Sequence, residues 1–216
     1  FSFINSLNNN SISFDIDEDM TDESIRLIED DNNGNLFVNF KNHVKIYSID
    51  EKSKTLSFKR DLDIFHPMYI VKDDFSNIWI SDFNCLYRIN GAEVVEKFDF
   101  KNITTIHSLN DSVLWLGIHS KQYPSLLKFN YNTGGVLDSL SLEKYRQEIG
   151  GLSIKNIYYD EKFDVIYVAT STAGIIEINL KPREINIHNV KGGLQSNNIL
   201  GLMKDEIGRF WFNTAD

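Results

Sequence analysis

The chain has very little cysteine: Cys85 is the only one among its 216 residues. A single cysteine excludes an internal disulfide and a zinc site built from several thiolates. Cys85 lies in an apolar context that is typical of a strand. The sequence therefore predicts a buried thiol without a reactive role.

Positive charge and long apolar runs are also scarce. The chain has 22 Lys and Arg residues against 31 Asp and Glu residues, which gives a formal net charge of −9. Neutralising phosphates requires a basic surface, so we predict no nucleic-acid partner. No stretch approaches the roughly 18 uninterrupted apolar residues of a membrane span, so we predict no membrane contact by this segment.

Motifs for catalysis and metal binding are missing. The five histidines lack the spacing of known metal-ligand motifs, and there is no nucleophile elbow or phosphate-binding loop. The stretch around Asp31 and Gly34 resembles a calcium loop only superficially, because Phe40 stands where a bidentate Glu is required. We predict no catalytic residue, no metal and no cofactor. The many Asp and Glu residues leave open a carboxylate pair for glycoside cleavage, because the separation of such a pair depends on the fold.

A repeated pattern is present instead, and its clearest copy is the segment 193–214. Residues 199–203 form a short apolar run, residues 205–208 have turn chemistry, and residues 210–212 are aromatic, which predicts a hairpin. Weaker copies recur upstream, each with an aromatic residue, which we call the anchor, in its second strand. The anchors are Phe37, Trp79, Trp115, Tyr167 and Trp211, which lie 42, 36, 52 and 44 positions apart. Blades of a β-propeller repeat every roughly 40 to 50 residues.

Each of the first four copies continues with two more predicted strands. The third strands are expected at 44–50, 86–90, 126–130 and 175–179, and the fourth at 55–58, 94–98, 135–140 and 184–188. Four antiparallel strands per repeat predict an all-β fold, a β-propeller of four-stranded blades. Residues 1–216 are expected to form a single partial propeller of about 4.5 blades, with 1–23 as a blade edge or an insertion. Because open strand edges invite association, we expect the remaining blades of the same polypeptide to complete it.

The longer third spacing has a local explanation. Leu142, Tyr145 and Ile149 form an apolar stripe at helical spacing within residues 141–150, and two glycines follow. This pattern predicts a short helical insertion between the third and fourth blades.

The fifth copy resembles a known repeat. Its residues Gly-Leu-Gln-Ser-Asn-Asn-Ile at 193–199, followed by Asp205, Gly208, Trp211 and Thr214, are similar to the two-component regulator propeller repeat. Asn213 stands where that pattern has Gly, and Ser76 replaces the turn Gly of the second copy. The resemblance implies the periplasmic sensor domain of a hybrid two-component histidine kinase of Bacteroidetes. Such domains usually contain two seven-bladed propellers, act in a homodimer and bind oligosaccharides from complex glycans.

Strand topology places the binding loops. The loops after the second strands and the segments that lead into the first strands should lie on one face of the propeller. Sugar recognition needs aromatic platforms flanked by polar groups. The enlarged loop 119–123 fits this need best, and the repeated Asp, Gly and Trp are expected to be structural. The candidate ligand-binding residues are His43, His66, Asp82, Asn84, His119, Lys121 and Tyr123.

Three functions remain open from the sequence. The first is an extracytoplasmic, periplasmic sensor that binds a glycan-derived oligosaccharide and signals to a downstream histidine kinase, without catalysis by this segment. The second is a polysaccharide lyase or glycosidase of the propeller type. The third is a scaffold that binds only proteins.

Overall fold

The computed structural model of the chain describes residues 2–4, 11–13, 15–16, 25–50, 52–109, 112–119, 125–142, 153–205 and 207–215. These residues are almost entirely in strands and tight turns. The only helical segment among them is one short 3-10 turn at Val190–Gly192. The chain divides into two compact units, Phe1–Asp99 and Phe100–Asp216, which are described separately. The expectation of a single propeller over 1–216 stays a prediction.

The first unit holds two large sheets and one small hairpin. The hairpin pairs β1 (Ser2–Ile4) with β2 (Ser11–Ser13). The first large sheet contains β3 (Asp15–Ile16), β4 (Ile25–Asp30), β5 (Asn35–Phe40), β6 (Val44–Asp50) and β7 (Thr55–Leu62). The second contains β8 (Tyr69–Lys72), β9 (Ile78–Ser81), β10 (Leu86–Asn90) and β11 (Glu93–Phe98). Strand β3 joins β7 in parallel, as a fifth strand at the edge of the first sheet, where the sequence predicts a blade edge or an insertion.

The second unit holds two complete sheets and a two-stranded one. The first sheet contains β12 (Ile103–Ser108), β13 (Val113–Ile118), β14 (Ser125–Asn130) and β15 (Gly135–Ser141). The second contains β16 (Ile154–Asp160), β17 (Val165–Thr170), β18 (Ile175–Leu180) and β19 (Arg183–His188). The hairpin of β20 (Ile199–Lys204) and β21 (Phe210–Thr214) completes the unit.

Each four-stranded set is an antiparallel meander in which chain neighbours are also sheet neighbours. The predicted third and fourth strands are confirmed in all four sheets, and each anchor lies in the second strand of its sheet. The second strands of the four larger sheets are mostly apolar, because both of their faces are largely buried. In β5, Phe37 joins a core shared with the second sheet, while its neighbours Leu36 and Val38 join a cluster on the opposite face.

Sheets that follow one another within a unit pack through these apolar faces. In the second unit, Trp115 and Leu126 of the first sheet share a core with Ile166 and Ile176 of the next. A further cluster joins Ala169 and Ile175 to Ile199 and Leu202 of the hairpin. Repeated sheets that bury a face against the next sheet are the packing that a propeller repeat requires.

The predicted helical insertion falls mostly outside the described residues. Ser141 is the last residue of β15, so the helix does not begin there, and Leu142 is fully buried. Residues 143–152 lie outside the part of the chain that the structure describes.

Candidate functional site

In the first unit, strand pairing places the predicted binding loops at one end of each sheet. Ile25, at the start of β4, pairs with Phe40, at the end of β5, and Tyr69 of β8 pairs with Ser81 of β9 in the same way. The loop after each second strand therefore lies at the same end of its sheet as the segment leading into the first strand. We call the segments 41–43, 63–68 and 82–85 the loop cluster.

His66 links all three segments of the loop cluster. Its backbone N–H donates to the Asn42 carbonyl oxygen over 3.2 Å. Its ring contacts the Phe83 ring at a centroid distance of 6.3 Å and an interplanar angle of 60°. The backbone of His66 has a φ of 53°, in the left-handed region that few residues other than glycine occupy. His66 is itself exposed to solvent.

His43 occupies the same cluster in a more enclosed position. Its ring stacks on Phe40 at a centroid distance of 5.0 Å, and its carbonyl oxygen accepts a hydrogen bond from the Phe40 backbone over 2.9 Å. The half-buried ring of His43 therefore packs against the end of its own sheet.

Asp82 is buried and organises the third segment of the cluster. One carboxylate oxygen accepts from the backbone N–H groups of Asn84 and Cys85 over 2.6 and 2.7 Å, and the other accepts from the Tyr87 hydroxyl over 2.7 Å. Burial, followed by this hydrogen bond, raises the pKa of Tyr87, so the hydroxyl remains a donor. The arrangement makes Asp82 a support for the turn, whereas Asn84 is exposed on it.

The remaining candidates belong to the second unit. The backbone N–H of His119 donates to the Asn102 carbonyl oxygen over 2.9 Å, which joins the loop after β13 to the segment leading into β12. Lys121 and Tyr123 lie outside the described residues. The contact of any of the seven candidates with a ligand stays a prediction.

The repeated Asp occupies the structural position expected of it in three turns, and the repeated Gly does so in two of them. The carboxylates of Asp31, Asp73 and Asp205 each accept two backbone N–H groups from the turn that follows. Gly34 and Gly208 have φ values of 83° and 88° in these turns. Asp160 differs, because its carboxylate bonds to the Lys204 ammonium group of the next repeat.

The repeated Trp has a second role that sequence reasoning missed. The indole N–H groups of Trp79 and Trp211 donate to Asp73 and Asp205 over 2.8 and 2.9 Å. The Trp211 indole, followed by the Arg209 guanidinium group, lowers the pKa of Asp205. The available sequence signal was the distance of six residues from Asp to the anchor, which is shared by Asp31, Asp73 and Asp205.

Sequence reasoning also missed the aromatic residues of the loop cluster. Phe65 and Phe83 are 72% and 50% exposed, although burial of a Phe ring is normally favourable. Both rings therefore stand in solvent beside the polar candidates. For Phe83 the signal was a Phe between two polar loop residues, Asp82 and Asn84.

Metal-binding clusters and membrane-spanning helices are both absent from the described residues. No group of three or more His, Cys, Asp or Glu side chains in the described ranges is arranged to hold a metal ion. Within the same ranges, no helix combines the length and the hydropathy that crossing a bilayer requires.

The fold is similar to solved extracellular domains. One is the extracellular domain of BT3049, assigned to a hybrid two-component system of B. thetaiotaomicron, which has a TM-score of 0.71 and 16% identity over 99% of this chain and 29% of that chain. Another is the extracellular domain of BT4673 from the same organism, with a TM-score of 0.64 and 18% identity over 92% of this chain and 27% of that chain. The fold is that of a β-propeller. The predicted resemblance to sensor propellers is thereby confirmed at the level of the fold.

The same fold also occurs in an enzyme. A streptogramin B lyase has a TM-score of 0.69 and 16% identity over 99% of this chain and 75% of that chain. Because all these identities are low, the likeness concerns the β-propeller fold alone. The present chain spans 29% and 27% of the lengths of the two extracellular domains. No protein-family model matches the sequence, and no curated protein matches it at a significant level.

Proposed function

We propose that this chain is part of the extracytoplasmic ligand-sensing propeller of a hybrid two-component regulator. The observation that carries the proposal is the fold likeness over 99% of the chain to the extracellular domain assigned to such a system. The alternation of exposed aromatic and polar side chains in the loop cluster supports a saccharide as the ligand. The compartment would be the periplasm, and this segment would bind the ligand without changing it.

Sensing by a propeller requires two arrangements of the receptor. A ligand shifts an equilibrium only between states that it binds with different affinity. In the proposed receptor, an oligosaccharide bound at the loop cluster would change how propellers, or the protomers of a homodimer, are placed relative to each other. A downstream histidine kinase would respond to this change.

We also propose that further strands of the same polypeptide pair with β21. In the described residues, β21 pairs only with β20, whereas the second strands of the four larger sheets have a neighbour on both sides. Trp211 keeps the hydrogen bond to its Asp, yet it is 52% exposed where Trp79 is 0% exposed. In a longer polypeptide, acrylamide should quench Trp211 fluorescence much less than in the present chain. Equal quenching in the two would contradict the pairing.

The second candidate function is a lyase, which the fold likeness to streptogramin B lyase favours. A glycan panel separates the candidates. The sensor predicts that at least one oligosaccharide binds the chain in calorimetry and is recovered intact by mass spectrometry. Depolymerisation of a bound glycan would favour the enzyme. No saccharide binding, together with specific capture of a purified protein partner, would favour a scaffold.

A further inference from the structure

The loop cluster of the first unit combines two features. Its aromatic rings, Phe65 and Phe83, are exposed, and yet the backbone that carries them is tied down by hydrogen bonds. Phe75, in the turn between β8 and β9, is similarly exposed at 53% but lies at the opposite end of its sheet. Exposure alone therefore does not distinguish the rings of the loop cluster from Phe75. Their surroundings do.

The turn that carries Phe83 is rigid. The Asp82 carboxylate accepts hydrogen bonds from the backbone N–H groups of Asn84 and Cys85 and from the Tyr87 hydroxyl, and the Asp82 backbone N–H donates to the Cys85 carbonyl oxygen over 3.0 Å. Phe83 lies within this closed turn, between Asp82 and Asn84. Its ring is thus held in solvent by a structured loop, and little ordering is needed when a ligand arrives.

His66 is held against this ring from the neighbouring segment. Its left-handed backbone, with a φ of 53°, is fixed by the hydrogen bond to the Asn42 carbonyl oxygen, and this conformation directs the imidazole to the Phe83 ring. Residues other than glycine are uncommon in this backbone region, and they persist there when the surrounding structure holds them. The pair offers an aromatic surface beside a donor and acceptor group.

We propose that Phe83 and His66 form a saccharide subsite that selects an uncharged oligosaccharide. The inference rests on the proposed sensing function and names its site and ligand class. An aromatic ring accepts the apolar C–H face of a sugar, while His66 and the exposed amides of Asn42 and Asn84 are placed to bond its hydroxyl groups. Phe83 lies between two polar residues, Asp82 and Asn84, a pattern that suits a saccharide better than a continuous apolar peptide face.

The acidic residues near the subsite are the reason why we propose an uncharged ligand. Asp63 and Asp82 lie in the loop cluster. Asp99 lies outside its three segments but contacts the Cys85 thiol over 3.7 Å. Lys41 is the one Lys or Arg in the three segments of the loop cluster. Like charges repel across a partly desolvated contact, so sulfated or uronic acid saccharides are disfavoured there.

The test uses this chain and a defined saccharide panel. The neutral set contains cello-, xylo-, manno- and malto-oligosaccharides of about three to six sugars, enough to cover a pocket-sized site. The charged set contains oligogalacturonides and heparin-derived oligosaccharides. The variants are F83A, which removes the ring, and H66N, which keeps a residue type that tolerates the left-handed backbone. F75A is the matched control, because it removes an equally exposed Phe at the other end of the sheet.

We expect a neutral oligosaccharide to bind the wild type, and F83A and H66N each to weaken it by about tenfold, whereas F75A changes the affinity by less than about twofold. Retained affinity in both F83A and H66N would overturn the subsite while the sensing function stands. Preferential binding of the charged set would overturn the ligand class. No binding by any member would overturn the sensing function together with the subsite.

A second measurement guards against variants that fold poorly. In wild-type chain labelled with fluorophenylalanine, the neutral oligosaccharide should shift the fluorine NMR resonance of Phe83 and leave that of Phe75 unchanged. A shift at Phe75 with none at Phe83 would place the ligand at the other end of the sheet and overturn the subsite.

Discussion

At the scale of single residues, the turn between β8 and β9 depends on one buried carboxylate. Asp73 accepts hydrogen bonds from two backbone N–H groups, from the Asn77 amide over 2.9 Å and from the Trp79 indole over 2.8 Å. All of these donors would lose their acceptor in D73A. We expect this variant to lower the free energy of unfolding by about 3 kcal/mol or more, measured by urea denaturation.

The neighbouring residue provides a matched control for this prediction. Asp74 has the same chemistry and follows directly in the chain, but its side chain is exposed. D74A should change the free energy of unfolding by less than about 0.5 kcal/mol. Equal effects of D73A and D74A would show that the carboxylate network does not stabilise the turn.

The same turns provide a reciprocal pair of backbone substitutions. Ser76 has a φ of 64° at the position that Gly34 occupies, with a φ of 83°, in the first sheet. A Cβ added at Gly34 would meet no atom within 4 Å, so only the backbone conformation opposes a side chain there. We expect S76G to stabilise the chain by about 0.5 to 1 kcal/mol and G34S to destabilise it by about 1 kcal/mol. Thermal unfolding of both variants checks the signs, and a stabilising G34S would contradict the explanation.

At the scale of elements, packing between blades requires a small residue in the second strand. A Cβ added at Gly117 of β13 would lie 2.6 Å from the Thr105 methyl group of β12 and 2.9 Å from an Ile154 methyl group of β16, in the following sheet. G117A should therefore force these strands apart and cost about 1 to 3 kcal/mol in chemical denaturation.

Gly135 is the control at this scale. Its added Cβ would meet only the Thr133 hydroxyl at 3.4 Å, so G135A should remain within about 0.5 kcal/mol of the wild type. A G117A chain as stable as the wild type would mean that the two sheets do not pack as closely as described.

The elements also show why much of the fold could be predicted from the sequence. Second strands bury both faces, so they appear as short apolar runs around anchors such as Trp79 and Trp115. Tight turns with Asp and Gly then mark the strand ends, as at Asp31 and Gly34. The helical insertion stays a prediction, since residues 143–152 lie outside the described part of the chain.

The candidate site was harder to predict for a physical reason. Alternation of strands places whole loops at one end of a sheet, and His66 and Asn84 indeed lie together in the loop cluster. The direction of each loop side chain depends on local hydrogen bonds that have no sequence period. Asp82 therefore faces inward to its own turn, and Phe83, which was not predicted, is exposed.

At the scale of the whole molecule, the chain contributes two compact units of antiparallel sheets, each with its own core. The residues that stabilise the fold lie in the turns and between the sheets, whereas the residues proposed to bind a ligand lie in exposed loops. The D73A and G117A substitutions should thus affect unfolding, whereas substitutions in the loop cluster should affect binding. This separation is compatible with the proposed sensing function, because loop residues can change, and with them the ligand, while the sheets remain unchanged.

The proposed function requires that ligand binding to this propeller is transmitted to a kinase. The most direct measurement is phosphorylation of the complete natural polypeptide, in membranes, with and without the oligosaccharide that binds residues 1–216. We expect the phosphorylation rate to change as the oligosaccharide saturates the propeller, because the ligand would shift the receptor between two states. A rate that stays the same at saturating oligosaccharide would contradict it.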